Sequence, residues 1–382
     1  MRRAPLVTAP FALSFAANML QGFAFNLYLH LPGFLMELGA GEVQIGVISG
    51  VTAATAIAAK PAVGHVMDAH GRRIVIVAGG ILNVLVCALY LTVTRLGPWL
   101  YLVRIGHGIA EAMLFAALFT HAADLLPASR RTEGIALFGV SGLLPMSISG
   151  VLGDVILARA GYAQLFVASV AFALASLLCS LALRDQPQGD DDLPARGFLA
   201  AMTQRDLVPL WLLTAVFATA LAAHFTFLKT FVLETGVGSV GLFFTAYSGA
   251  AILLRLLFAW VPERVGPKRA LFPALGALAL GFVLLALAGH PRTIAVAGAF
   301  AGLGHGFTFP ILSGMVVQRA RFAERGAAMS LFTALFDGGV LVGGPAFGAV
   351  ILLAGYPAMF STAAAVVLVG AGAFAFCDRE RA

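Results

Sequence analysis

The chain has 382 residues, of which 60% are hydrophobic and 11% are charged, and its formal net charge is +6. Soluble domains carry about 25% charged residues, so a water-soluble protein of this length could not bury so much apolar surface. The composition excludes a soluble globular protein and predicts a chain that crosses a membrane many times. Its three cysteines are too scattered to suggest a disulfide framework.

Twelve apolar segments follow one another along the chain. A membrane-spanning helix needs about 20 mainly apolar residues, and each segment meets that length. The sequence therefore predicts an all-α membrane protein with twelve transmembrane helices and very short outer connections. The predicted spans are 9–33, 43–63, 74–94, 98–120, 134–157, 162–183, 207–233, 239–260, 270–289, 293–315, 327–353 and 357–377.

A polar segment that contains proline separates the sixth span from the seventh. It includes the run Gln186-Pro187-Gln188-Gly189-Asp190, which is followed by two further aspartates. Such a composition is typical of a flexible linker. The predicted organisation is an N-terminal six-helix bundle in 1–183, a cytoplasmic linker in 184–205 and a C-terminal six-helix bundle in 206–382.

Basic residues are distributed unevenly between the two sets of connections. With the N-terminus inside, 17 of the 24 Lys and Arg residues fall in cytoplasmic segments and three fall in outer loops. This is the positive-inside bias of membrane proteins, and it predicts that both termini are cytoplasmic. It also explains the basic composition without a nucleic-acid partner. No cleavable signal peptide is predicted.

The stretch Gly64–Arg73, between the second and third spans, combines a carboxylate, a glycine and two adjacent arginines. We predict a tight loop here, because glycine permits a sharp turn. A partial second copy lies 195 positions later, which predicts two homologous halves. The corresponding pairs are Gly64 and Ala259, Asp68 and Glu263, Gly71 and Gly266, and Arg73 and Lys268.

The spacing G-x-x-x-D-x-x-G-R-R resembles the loop between helices 2 and 3 of major facilitator superfamily transporters, although Ala69 replaces the usual arginine. The resemblance implies two pseudo-symmetric six-helix bundles that alternate access to a central site in a bacterial inner membrane. It also implies that Asp68 meets the N-terminal end of the eleventh helix, and that Arg72 or Arg73 pairs with Asp124. The implied gating residues are Gly64, Asp68, Gly71, Arg72, Arg73, Asp124, Glu263 and Gly266.

Charged groups inside predicted spans are costly and therefore candidates for function. Arg104, His107 and Glu111 lie on one stripe of the fourth span, at 100° per residue. The resemblance links an arginine in this helix to proton coupling. The predicted proton-coupling residues are Glu111, Arg104, His107 and, in the eleventh span, Asp337. The alternative is that Arg104 and Glu111 only fix helix packing.

The first, fourth, seventh and tenth spans are the most polar, and the resemblance implies that these four line the substrate cavity. Gly106-His107-Gly108 recurs as Gly304-His305-Gly306, so we predict histidines at matched positions of the repeat. The alternative is that each histidine is a structural hydrogen-bond donor. No set of residues is spaced as a metal site. The predicted cavity residues are Asn18, Gln21, Asn26, His107, His224, Lys229 and His305.

These features predict a secondary active transporter of a small solute, with the lipid bilayer as its surroundings and no cofactor other than a proton gradient. Our preferred hypothesis is a monomer that exports a partly apolar compound as protons enter. Antiporters of the family that the chain resembles carry a G-P-x-x-G-G type run in the fifth helix. The fifth span has Leu144-Pro145 without paired glycines, and this departure weakens a case for antiport. The alternatives are proton-linked uptake of a polar metabolite or siderophore-like solute, and a sensor or assembly factor without transport. An enzyme is not predicted.

Overall fold

The computed structural model describes residues 7–127, 131–185, 202–321 and 324–378. All regular secondary structure in these ranges is helical, and two short 3-10 segments, Leu27–His30 and Tyr90–Thr92, follow α1 and α4. The helices are α1 Ala9–Asn26, α2 Leu31–Glu37, α3 Glu42–His70, α4 Arg72–Leu89, α5 Pro98–Asp124, α6 Arg131–Arg159, α7 Tyr162–Leu181, α8 Val208–Thr235, α9 Val240–Phe258, α10 Val261–Val265, α11 Pro267–Ala286, α12 Pro291–Arg319 and α13 Arg325–Cys377.

Ten of these helices are long and apolar enough to cross a membrane. The longest, α13, has 53 residues and is broken at Gly355, where φ is 79°. A straight helix of that length would measure about 80 Å, against a hydrocarbon core of about 30 Å, so α13 provides two crossings. Together with the segment from α1 to α2, the described residues contain the twelve predicted spans, and the predicted all-α membrane fold is confirmed.

The first predicted span, 9–33, is wrong as a single helix. The α-helix ends at Asn26, the chain continues as a 3-10 turn, and α2 then begins at Leu31. This segment is absent from the ten apolar helices found among the described residues. Polar side chains at Asn18, Gln21 and Asn26 account for its lower apolar content.

The chain divides into two compact units. The first unit comprises Met1–Gly39 and Val51–Gly189, and the second comprises Ala40–Gly50 and Asp190–Ala382. The opening turns of α3 thus group with the second unit, which the sequence repeat did not predict. Most of the predicted linker, residues 186–201, lies outside the described residues, so the linker stays a prediction.

Glycines allow helix backbones to touch within each unit. In the second unit, a Cβ on Gly302 of α12 would lie 2.0 Å from the carbonyl oxygen of Tyr247 on α9. In the first unit, a Cβ on Gly108 of α5 would lie 2.4 Å from the carbonyl oxygen of Thr52 on α3. Such contacts are common between helices in membranes. There the hydrophobic effect does not drive helix association, and small residues let backbones approach closely enough for van der Waals packing.

Candidate functional site

The predicted loop Gly64–Arg73 is almost entirely helical, which corrects the prediction of a loop of ten residues. Helix α3 continues to His70, and α4 begins at Arg72. Gly71 alone separates them, with a φ of 88° that favours glycine. The second copy has the same form, since Gly266, with a φ of 98°, stands immediately before α11.

The arginines of the first copy bind two carboxylates of the first unit. Arg72 Nε donates to Asp124 Oδ2 at 3.1 Å, so the predicted contact between these residues is present. The backbone N–H of Arg73 donates to Asp185 Oδ1 at 2.9 Å, and thereby places a carboxylate at the N-terminus of α4. A Cβ on Gly71 would lie 2.3 Å from Asp185 Oδ2, so this carboxylate also requires glycine. The side chain of Asp68 lies outside the described residues.

At the second copy, the charged contacts centre on Asp378, which follows the end of α13. Arg319 donates to both carboxylate oxygens of Asp378, at 2.9 and 3.1 Å. Lys268 Nζ lies 3.2 Å from Asp378 Oδ2 and donates to its carbonyl oxygen at 2.6 Å. Arg319 stands 195 positions after Asp124, so the charge at this repeat position is inverted. Glu263 is exposed on the short helix α10.

The cluster at Asp378 predicts a pH-dependent contribution to stability. Burial alone would raise the pKa of this carboxyl, but hydrogen bonds from Arg319 and Lys268 outweigh burial and lower the pKa below its ordinary 3.8. A lowered pKa stabilises the fold above the unfolded value, and this stabilisation is lost as pH falls through the folded value. We expect Asp378→Asn to cost about 1.5–3 kcal/mol near neutral pH, the range for hydrogen bonds to charged groups.

The measurement is the apparent melting temperature of the purified protein across a pH series. The difference between wild type and Asp378→Asn should stay constant above about pH 4 and shrink below it. Asp206→Asn is the matched control, because Asp206 is exposed and only its carbonyl oxygen contacts Arg319. Equal melting temperatures for Asp378→Asn and wild type near neutral pH would contradict the prediction.

In the first unit, a buried cluster surrounds the hydroxyl of Tyr90. Arg104 Nη1 and His107 Nδ1 each lie 3.1 Å from Tyr90 Oη. A guanidinium can only donate, so the hydroxyl accepts from Arg104 and its own proton is left for His107. Glu111, further along α5, also acts electrostatically on Tyr90. Two of the four predicted coupling residues, Arg104 and His107, therefore meet at one tyrosine, and the charge of a third, Glu111, acts on it.

The second unit has a matching cluster. The hydroxyl of Tyr247 on α9 is hydrogen-bonded to His305 Nδ1 on α12. Arg255, also on α9, donates from Nε to the carbonyl oxygen of Gly306 at 3.3 Å. It acts electrostatically on both Tyr247 and His305. Each unit thus places an arginine, a tyrosine and a histidine together.

The sequence did not predict Tyr90 or Tyr247, because the repeat does not relate them. Tyr90 follows α4, the third crossing of its half, whereas Tyr247 lies on α9, the second crossing of its half. The residue 195 positions before Tyr247 is Thr52, which donates to the carbonyl oxygen of Arg104 at 3.4 Å. The two histidines keep their repeat positions, and each binds a tyrosine of its own unit.

His224 lies in an aromatic environment within the second unit. Its side chain is fully buried, and neither ring nitrogen has a hydrogen-bond partner among the described residues. Ring centroids of five neighbours lie 4.5–6.3 Å from its own. These neighbours are Phe225, Phe243, Phe244, Tyr247 and Phe282.

The three amides of α1 bind partners within the first unit. Asn18 Nδ2 donates to Ser141 Oγ of α6 at 2.7 Å. Gln21 Oε1 accepts from Asn83 Nδ2 of α4 at 3.0 Å. Asn26 Nδ2 donates to a carbonyl oxygen of its own helix at 2.7 Å. These contacts tie α1 to α4 and α6, while the predicted role of the amides in a substrate cavity stays a prediction.

Lys229 and Asp337 complete the predicted site residues, and both lie in the second unit. Lys229 is buried on α8, and Asp337 is partly buried on α13. Each of these two residues has at least one interaction partner. Within the described ranges, no three His, Cys, Asp or Glu side chains come together as a metal site.

The sequence analysis also missed a side-chain hydrogen bond between His30 and Asp154. Their side chains meet at 3.0 Å, with His30 fully buried and Asp154 23% exposed. A Cβ on the neighbouring Gly153 would lie 2.3 Å from the imidazole, so the glycine makes room for the ring. A signal was present, because His30 is the only His, Asp, Glu, Lys or Arg in the span 9–33 and Asp154 is the only one in the span 134–157.

Two all-helical units with buried charged side chains, and twelve spans among the described residues, define a multi-pass membrane protein. The family model described as Major Facilitator Superfamily matches residues 11–238 and, in a second match, residues 210–382. The chain belongs to the Major Facilitator Superfamily. It is therefore a membrane transporter of a small solute, as the sequence predicted, and not an enzyme.

Known relatives cover nearly the whole chain. An uncharacterised MFS-type transporter of Pseudomonas aeruginosa is 25% identical over 89% of this chain and 86% of its own length. The staphylopine export protein of Staphylococcus aureus is 22% identical over 93% of this chain and 91% of its own length. A crystal structure of a mutant of the nucleoside transporter NupG shares the fold, with a TM-score of 0.81, 16% identity, and coverage of 96% and 99%.

Proposed function

We propose that the chain is a proton-coupled exporter of a small, partly apolar compound. It works as a monomer in a bacterial inner membrane, with both termini in the cytoplasm, and alternates access to a site near the bilayer midplane. The proton gradient is its driving force, and no cofactor takes part. The positive-inside distribution of basic residues supports the orientation.

The observation that carries the proposal is the contact of Arg104 and His107 with Tyr90, on which the charge of Glu111 also acts. A proton-driven carrier needs a group that is protonated in one facing state and not in the other. Glu111 fits this role, because its charge acts on the same hydroxyl that accepts from Arg104. A proton on Glu111 would remove that charge and change the electrostatic balance of the cluster in a region of low dielectric constant.

Aromatic side chains beside His305 support a partly apolar substrate. The ring centroid of Phe217 lies 5.4 Å from that of His305, and the centroid of Phe309 lies 6.0 Å from it. Phe336 contacts both phenylalanines. Small-molecule sites in proteins commonly combine such apolar surfaces with a few polar groups that fix orientation.

The similarity to the staphylopine export protein supports export over the alternatives. Proton-linked uptake of a polar metabolite or siderophore-like solute would use the same fold with the opposite direction of net transport. A sensor or assembly factor would bind a ligand without moving it. A buried charged cluster argues against the last alternative, since charges inside a membrane are costly and mark transport pathways.

Inside-out membrane vesicles distinguish these alternatives. Respiration acidifies the vesicle interior and quenches a pH-sensitive dye, and an exporter that exchanges protons for substrate restores the fluorescence when a transported compound is added. We expect recovery with at least one compound from a panel of drugs, sugars, amino acids and metal chelators. Membranes without the chain are the control. Proton uptake by right-side-out vesicles instead would identify an uptake carrier, and no response in either orientation would contradict proton-coupled transport.

A further inference from the structure

The second unit contains an acidic side chain that the candidate site does not include. Glu42 is the first residue of α3, and Tyr356 follows the break of α13 at Gly355. Tyr356 Oη donates to Glu42 Oε1 at 2.5 Å. The other carboxyl oxygen, Oε2, is buried and has no hydrogen-bond partner among the described residues. Tyr356 therefore holds Oε1, whereas Oε2 is buried without a hydrogen-bond donor.

The backbones of α3 and α13 touch beside this carboxyl. A Cβ on Gly348 would lie 2.6 Å from the carbonyl oxygen of Glu42. One turn along α3, a Cβ on Gly46 would lie 2.2 Å from the carbonyl oxygen of Gly344. Contacts this close leave no room for water between the two helices. The contact of α3 with α13 therefore determines whether solvent can reach Glu42.

Burial is the largest effect on Glu42 and favours an uncharged carboxylic acid, as does Glu234, whereas Tyr356 and Thr230 act in the opposite direction. Thr230 and Glu234 of α8 act on this carboxyl together with Tyr356. The hydroxyl proton of Thr230 is donated to the carbonyl oxygen of Phe227 at 3.0 Å, and Oε2 of Glu42 has no donor among the described residues.

Ionised Glu42 would be repelled by Glu234, and its oxygen Oε2 would carry charge in a buried position without a donor, which is expensive. The N-terminus of α3 opposes this by favouring the ionised form, an effect that is confined to the first turn. The enclosed Oε2 and the nearby Glu234 thus favour a bound proton on Glu42 in this arrangement.

We propose that Glu42, held by Tyr356, is a second proton-binding site, which is occupied while the first turns of α3 pack on α13 and is emptied when they separate. Glu42 begins α3, whereas Arg72 and Arg73 follow the other end of that helix. The site therefore lies on the membrane side opposite to these arginines, from which protons enter under the proposed function. This inference rests on that function and adds a place at which the incoming proton first binds.

Hydrogen–deuterium exchange of the purified protein tests this site without a substrate. Glu42→Gln keeps the acceptor for Tyr356 and cannot ionise. At about pH 5, wild type and Glu42→Gln should exchange equally in peptides that cover residues 41–50 and 353–361. At about pH 8, the variant should exchange roughly tenfold more slowly than wild type in both peptides, because only wild type can lose the proton. Comparison at equal pH cancels the intrinsic pH dependence of exchange.

Two further variants complete the test. Glu37→Gln removes an exposed acid just before α3 and should match wild type at both pH values. Tyr356→Phe removes the donor and should exchange faster than wild type at about pH 5. Equal exchange of Glu42→Gln and wild type at both pH values would overturn the proposal, as would faster exchange of Glu42→Gln throughout. Loss of the proposed transport function would leave these exchange rates unchanged, so the two failures are distinguishable.

Discussion

Glu111→Gln is expected to abolish accumulation of substrate driven by a pH gradient, while substrate exchange at equal pH stays measurable. Glutamine keeps the size and polarity of the side chain but cannot bind or release a proton. Each unit of pH gradient is worth about 1.4 kcal/mol per proton, which is a tenfold concentration ratio. For one proton per substrate, a gradient of about two units supports up to roughly a hundredfold accumulation, all of which the variant should lose.

Asp337→Asn is the matched control, since it neutralises the other partly buried acid proposed for coupling, on a helix of the second unit. We expect this change to lower the rate or the stability and to leave the coupling intact. Liposomes with Glu111→Gln that still concentrate substrate under an imposed gradient would show that Glu111 is structural. Uncoupling by Asp337→Asn alone would assign the proton site to α13.

Gly302→Ala is expected to destabilise the fold more than any other single methyl group added to α12. The new Cβ would lie 2.0 Å from the carbonyl oxygen of Tyr247 and 2.7 Å from its carbonyl carbon. Both atoms belong to the backbone, so no side-chain rotation relieves the clash and α9 must shift. Overpacking typically costs about 1–3 kcal/mol, which exceeds the gain of about 0.5–1 kcal/mol from replacing a helical glycine.

The matched control is Gly314→Ala on the same helix. Gly314 is exposed, and its added Cβ would meet nothing within 4 Å. This variant should have the melting temperature of wild type or a slightly higher one, because only the helix-propensity gain remains. The displaced Tyr247 also binds His305, so Gly302→Ala should weaken transport as well. An unchanged melting temperature for Gly302→Ala would contradict the close packing of α9 on α12.

The spans could be predicted from the sequence, whereas the helix ends could not. A membrane-spanning helix must be about as long as the hydrocarbon core is thick, so the spans can be found from the lengths of the apolar segments in the sequence. Polar residues mark where a span leaves the membrane, but they do not mark the end of the helix. A helix can continue beyond the membrane surface, because its backbone hydrogen bonds still form there. Thus Gly64–Arg73 was predicted to be a loop, although α3 ends only at His70. The glycine with positive φ, Gly71, is the better marker of the helix end.

The candidate site could be predicted only in part. The repeat and the resemblance identified Arg104, His107 and His305. The resemblance also predicted that Arg72 or Arg73 pairs with Asp124, and Arg72 makes this contact. Tyr90 and Tyr247 were missed because they reach the histidines from unrelated helices, which only the tertiary packing brings near.

The two carboxylates that follow the last helix of each unit were missed for a different reason. Asp185 and Asp378 are 193 positions apart, close to the repeat offset of 195, so the repeat did carry a signal for them. Acids at the polar ends of helices are common, however, and only the contacts with Arg73, Lys268 and Arg319 distinguish these two.

The most direct test of proton-coupled export is to follow protons and substrate together in liposomes that contain only the purified protein. A compound identified with inside-out vesicles is added outside liposomes with an acidic interior, and a pH-sensitive dye and a labelled substrate are read in the same sample. The proposed function predicts that substrate accumulates inside while protons leave, and that both fluxes stop when the gradient is collapsed. Substrate entry that is unaffected by the gradient, with no movement of protons, would contradict it.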